Sequence, residues 1–128
     1  LVQQAELENV LLSDGSFIQG AKISDSIIGL RSQVQEGSVI RSTIVMGADY
    51  YDNPKDLEQG GGIPIGIGPG CEIDSAILDK NVRIGEGVKI SAFPDGLDFD
   101  EDMYSVQDGI VVIPKRTVIP PGTVIGPK

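Results

Sequence analysis

The sequence predicts an all-β protein built as a parallel β-helix, and three observations carry that prediction. Aliphatic residues recur every six positions, as in "VQEGSVIRSTIVMG", where Val34, Ile40 and Met46 keep one register. Six is the period of neither a strand nor an α-helix. The residues between these anchors are mostly Gly, Asp, Glu, Lys, Arg, Ser and Pro, which suit corners. Finally, "ISDSIIGLRSQV" (23–34) aligns with "IDSAILDKNVRI" (73–84), each with one short step of five residues. A hexapeptide repeat of this kind builds a triangular coil, in which each hexapeptide supplies one strand and one corner.

The elements follow in order. The first block of anchors is Leu11, Phe17, Ile23, Ile28, Val34, Ile40 and Met46. The second is Ile67, Ile73, Leu78, Ile84 and Ile90, and the third is Ile113, Ile119 and Ile125. Four places after the anchors come Gly15, Ala21, Ile27, Ser32, Ser38, Ile44, Cys71, Ile77, Val82, Val88, Thr117 and Thr123. These read as a second inward position for small or aliphatic side chains. One coil cannot bury its own apolar face, so coils must stack, about 4.8 Å apart, into one core. Three hexapeptides per turn give about five turns. The expected core is Ile28, Val34, Ile40, Ile73, Leu78, Ile84, Ile119 and Ile125. Helix is expected only at the start, where "VQQAELENV" can form a short turn.

Two stretches interrupt the winding, residues 47–66 and 91–109. Both are rich in Gly, Pro, Asp and Asn and read as long loops leaving one corner. Loops of this length in a compact domain usually make contacts or carry function. The glycines at 60–62, 66, 68 and 70 fit neither a dinucleotide-binding nor a Walker motif. The acidic run "DGLDFDED" (95–102) lacks EF-hand spacing and reads as a solvated loop.

The 128 residues form one domain, 1–128, by length. The net charge of −9 opposes nucleic-acid binding, which needs a basic surface. No apolar run approaches the roughly 20 residues of a membrane helix, and no secretory leader is visible. The chain starts at Leu1, as a processed chain or a piece of a longer one would. There is no histidine. Acyl transfer through a His base, a zinc site with three His and a Ser–His triad are therefore unavailable, and no catalytic or metal-ligating residue is assigned. Cys71 is the sole cysteine, so no internal disulfide forms, and its place in the repeat reads as core.

Beyond the repeat, "SIIGLRSQVQEGSVIRSTIVMGADYYD", "IPIGIGPGCEIDSAILDKNVRIGEGVKI" and "GIVVIPKRTVIPPGTVI" resemble the C-terminal domain of ADP-glucose pyrophosphorylase, in its plant and cyanobacterial style. "MGADYY" and "DKN.RIG" are its most specific motifs. The resemblance covers nearly the whole chain, including both interruptions. It implies a left-handed coil and a role in making ADP-glucose from ATP and glucose 1-phosphate for glycogen or starch. It also implies that the catalytic nucleotidyltransferase domain lies outside this chain. ATP and Mg belong there, and no cofactor is expected here. The implied partners are that catalytic domain, further copies in a tetramer and a small phosphorylated effector, with no nucleic acid and no membrane. The implied location is the cytoplasm, or a plastid in a plant. The competing reading is a free-standing β-helix scaffold or binding protein.

The resemblance also marks an effector site. Lys80 in "DKN" and Lys115 in "GIVVIPK" stand where relatives have lysines associated with activator binding. Each lies two places after an inward aliphatic, Leu78 or Ile113, and so should point outward. A basic spot on an acidic domain would attract a phosphorylated acid such as 3-phosphoglycerate. Arg31, Arg83 and Arg116 are candidates to complete the spot. Pro114, before Lys115, departs from the aliphatic residue usual in plant-type sequences.

Overall fold

The computed structural model describes residues 1–128. Short strands stack in parallel along three faces. The first face runs Val2–Gln3, Phe17–Gln19, Gln33–Val34, Gly66–Ile67, Arg83–Ile84 and Val118–Ile119. The second begins in Glu6–Leu12 and Lys22–Ile28 and continues through Val39–Arg41, Glu72–Asp74, Lys89–Ile90 and Val124–Ile125. The third takes the later halves of Glu6–Leu12 and Lys22–Ile28, then Ile44–Val45, Ala76–Leu78 and Ile110–Ile113. The register stacks like on like, as Ile23, Ile40, Ile73, Ile90 and Ile125 do on the second face. All eight expected core residues are buried, each at 3 % exposure or less.

The six-residue register fails at its edges. Leu11, Phe17 and Met46 are exposed at 70 %, 47 % and 45 %, and their neighbours Ile18 and Val45 are buried instead. The five-residue step is a regular feature rather than an occasional one. It recurs from Ile23 to Ile28, Ile40 to Val45 and Ile73 to Leu78, where the chain turns directly from the second face to the third. A single left-handed residue closes that corner on successive coils: Asn9, Asp25, Ser42 and Ser75, with φ between 49° and 56°. Asn, Asp and Ser are short polar residues, and Asn and Asp tolerate this conformation best. At the corner between the first and second faces glycine does the same work, as at Gly37 and Gly70 (φ 79° and 67°).

The shortened step also moves the small inward position one place earlier. Ser26, Thr43 and Ala76 are buried there, while Ile27 and Ile44 are exposed and Ile77 is half-buried. Near the start the shift runs the other way, with Ser16 buried in place of Gly15, and Thr117 and Thr123 are only partly covered. The buried hydroxyls are satisfied along the stack: Thr43 N donates to Ser26 Oγ at 3.1 Å, and Ser38 Oγ donates to the Gly68 carbonyl at 2.8 Å. The displaced aliphatics line up across the outside of the third face as Leu11, Ile27, Ile44, Ile77 and Val112. The outside of the second face is charged instead, with Arg41 within 3.6 Å of both Glu72 and Asp74.

Both interruptions, expected as loops, carry regular structure. The first holds the helix Pro54–Gln59, closed by a capping box in which Asn53 Oδ1 accepts from Asp56 N at 2.8 Å. The second folds back as antiparallel strands Phe99–Asp100 and Ser105–Gln107 against Ile110–Ile113, through a left-handed Asp108–Gly109 turn. Val106 is buried opposite Val111, and Phe99 packs edge-on against Phe93 at 5.1 Å. This hairpin therefore covers the core beyond the last coil of the third face. The start, "VQQAELENV", is strand rather than helix, and the core-column residues Val2, Leu7 and, just after it, Leu12 are 39–42 % exposed.

Candidate anion-binding site

The corner between the third and first faces gathers the charged residues singled out in the sequence. Because Leu78 pairs with Ile113, Lys80 and Lys115 occupy equivalent places on successive coils. The coils are stitched there by Arg116 N donating to the Lys80 carbonyl at 3.0 Å. Both lysines are exposed, as expected of outward positions.

What lies between them is Asp49, the first charged residue of the interruption. Lys80 Nζ donates to Asp49 Oδ1 at 3.0 Å, and Lys115 Nζ lies 3.9 Å from Oδ2. Asn81 completes the arrangement. It is 2 % exposed, and its backbone is left-handed at φ 61°. Its Nδ2 donates to Asp49 Oδ2 at 3.1 Å, and its Oδ1 accepts from Asp49 N at 2.9 Å. The hydrogen bond from Lys80, then that from Asn81, holds the Asp49 carboxyl below its ordinary pKa.

The chain reaches this point through Gly47, where φ is 92° and an added Cβ would lie 2.2 Å from the Leu30 carbonyl oxygen. Only glycine fits there. Arg31 fixes the next residue, donating from Nε to the Ala48 carbonyl at 2.9 Å. Arg31 is thus occupied in holding the base of the interruption.

Arg83 is occupied more completely. Its guanidinium grips Asp52 with two bonds, 2.7 and 3.0 Å, and donates to the Ile63 carbonyl at 2.8 Å. Asp52 Oδ2 also accepts from Ile65 N at 3.0 Å. Gly60 lets the end of the helix lie on this group, since a Cβ there would come within 2.6 Å of Arg83 Cδ. Arg83 is 7 % exposed and clamps the two ends of the interruption together. Arg116 is exposed and lines an open cleft with Tyr50, Asp56 and Asn81. Of the five candidates, then, Lys80 and Lys115 meet at one carboxylate, Arg31 and Arg83 hold the interruption, and Arg116 lies beside the pair.

Sequence reasoning missed Asp49 and Asn81. Their signal was present, because "MGADYY" contains Asp49 and "DKN" contains Lys80 and Asn81. In the structure these two motifs touch, through Asp49 on one side and Lys80 and Asn81 on the other.

A family model described as the GLGC left-handed parallel β-helix domain matches residues 1–124. The chain belongs to that family. The GLGC description supplies the left hand of the coil. Among similar proteins, the glucose-1-phosphate adenylyltransferase small subunit, chloroplastic/amyloplastic, of Triticum aestivum is 41 % identical over 129 residues, covering 97 % of this chain and 27 % of its own. The glucose-1-phosphate adenylyltransferase small subunit of Zea mays is 43 % identical over 121 residues, covering 90 % of this chain and 97 % of its own. This GLGC β-helix thus spans about a quarter of the wheat relative. No helix in it is long and apolar enough to cross a membrane.

Proposed function

We propose that this chain is the regulatory and assembly domain of a glucose-1-phosphate adenylyltransferase. The whole protein would make ADP-glucose from ATP and glucose 1-phosphate for glycogen or starch. ATP, Mg and the chemical step belong to a nucleotidyltransferase domain outside residues 1–128, and the β-helix is one domain of about five coils with two excursions. We place the protein in the cytoplasm, or in a plastid if the source is a plant, as the wheat relative's name indicates for that protein.

The observation that carries the regulatory part is the pairing of Lys80 and Lys115 around one anionic group. Two ammonium groups on successive coils, on a domain of net charge −9, make a local cationic spot for a small phosphorylated effector. Arg116 borders that spot. Arg31 and Arg83 serve it indirectly, by fixing the segment that delivers Asp49. The aliphatic row Leu11, Ile27, Ile44, Ile77 and Val112 supports the assembly part, since an apolar strip on one flat face fits packing against the catalytic domain or another subunit of the tetramer.

The test is to express the domain joined to the rest of its coding sequence and assay ADP-glucose formation with and without 3-phosphoglycerate. Lys80→Ala and Lys115→Ala should each raise the activator concentration needed, and the double variant should abolish activation with unactivated turnover preserved. Unchanged activation in the double variant would remove the site. A coding sequence with no nucleotidyltransferase domain would favour the free-standing scaffold.

A further inference from the structure

We infer that the Asp49 carboxylate occupies the seat of a phosphoryl group, and that a phosphorylated ligand binds by displacing it, with the Asn81 amide as a third donor beside Lys80 and Lys115. This inference rests on the effector-site reading above.

Three donors converge on the carboxylate: Lys80 Nζ at 3.0 Å, Asn81 Nδ2 at 3.1 Å and Lys115 Nζ at 3.9 Å. The carboxylate satisfies the first two and leaves Lys115 beyond hydrogen-bond length. A phosphoryl group carries three acceptor oxygens and a charge of about −1.5 to −2 at pH 7. It is larger than a carboxylate and has one oxygen for each donor.

The anchoring of Asp49 permits the exchange. Its backbone is held by Asn81 Oδ1, and the preceding carbonyl is held by Arg31, so the chain stays in place. Its side chain is 40 % exposed and can rotate into solvent. The exposed ion pairs given up are weak and screened by salt.

Asn81 behaves differently. It is 2 % exposed, and its Nδ2 stays aimed at the seat. If the carboxylate left with nothing in its place, that buried donor would lose its acceptor, which is costly. The ligand must therefore bring an oxygen to Asn81 as well as charge to the lysines. This selects a phosphate monoester over a small monoanion. Binding should weaken as the phosphate protonates near its second pKa of about 6.

The experiment titrates inorganic phosphate into the 128-residue chain at pH 7.5 and constant ionic strength, following the amide and lysine Nζ resonances by NMR. In the native chain, phosphate should shift residues 80, 81 and 115 together, and Asp49→Asn should bind about fivefold to tenfold more tightly, as expected when exposed internal ion pairs no longer compete. Asp49→Ser, which cannot keep the seat, is the second variant and should behave alike. Adding Lys80→Ala and Lys115→Ala to Asp49→Asn should abolish binding. Equal or weaker binding in both Asp49 variants, with the shifts still lost on removing the lysines, overturns displacement and leaves the lysine site standing. No shift at residues 80, 81 and 115 in any variant overturns both.

Discussion

Asp49 and Lys80 lie 31 positions apart in the chain, yet form a 3.0 Å ion pair at one corner of the β-helix. The pair exists because the first interruption leaves the coil at Gly47 and its next residues are pinned to the following coil by Asn81. Lys115 reaches the same carboxylate from one coil further on.

The Asp49 carboxyl should titrate below an ordinary aspartate, with the hydrogen bond from Lys80 as the main cause and that from Asn81 next. A carboxyl with a depressed folded pKa stabilises the fold above its unfolded pKa. That contribution is lost as pH falls through the folded value, so the window lies on the acid side of normal aspartate titration. Carboxyl-detected NMR should show the low value in the native chain and an upward move in Lys80→Ala. A normal value in the native chain would contradict the ion pair.

Asp52→Ala should destabilise the domain by about 3–5 kcal/mol, because it leaves the Arg83 guanidinium buried without its counter-ion. The side chains of Arg83 and Asp52 are only 8 % and 16 % exposed. Chemical denaturation of the two proteins measures the difference. A loss under about 1 kcal/mol would mean that Arg83 finds water or another partner.

Ile40→Ala should cost about 2–5 kcal/mol, since it opens a cavity in a continuous core. Ile40 is wholly buried. Met46→Ser, six residues later and 45 % exposed, should change stability by no more than about 0.5 kcal/mol. Melting curves of the two variants separate the observed register from a strict repeat of six, in which both would be damaging.

Cys71 should resist thiol reagents in the native chain and react only on unfolding. It is 1 % exposed, and burial pushes its thiol pKa up, which leaves little thiolate. Labelling with a maleimide at pH 7.5, with and without denaturant, reads this directly. Rapid native labelling would show that this coil opens.

The fold was legible in the sequence because a β-helix is a local code. Where no interruption intervenes, each aliphatic meets its counterpart on the next coil after one round of the repeat, as Ile23 meets Ile40 and Ile67 meets Ile84, so the spacing implies the stack. The hairpin and the helix inside the interruptions did not follow from the sequence, where both segments were expected as loops, although Asp108–Gly109 is a local turn signal and Asn53–Pro54 a local helix-start signal. Both were hidden by overall loop-like composition. The outward position of Lys80 and Lys115 also followed from the repeat alone.

Other features were decided only by tertiary structure. The step of five at Ile40 to Val45 depends on Ser42 closing a corner in a left-handed conformation, and that is settled by neighbouring coils rather than by residue type. Arg31 and Arg83 resemble free surface cations in the sequence, but each is claimed by backbone or a carboxylate of the first interruption. Asp49 could not be placed from sequence, because an excursion has no period, and its path is set by where Asn81, Arg31 and Arg83 catch it. Sequence spacing determined the coil, since every coil repeats the same short-range geometry. The site depended on the third dimension, because it joins one aperiodic segment to two successive coils.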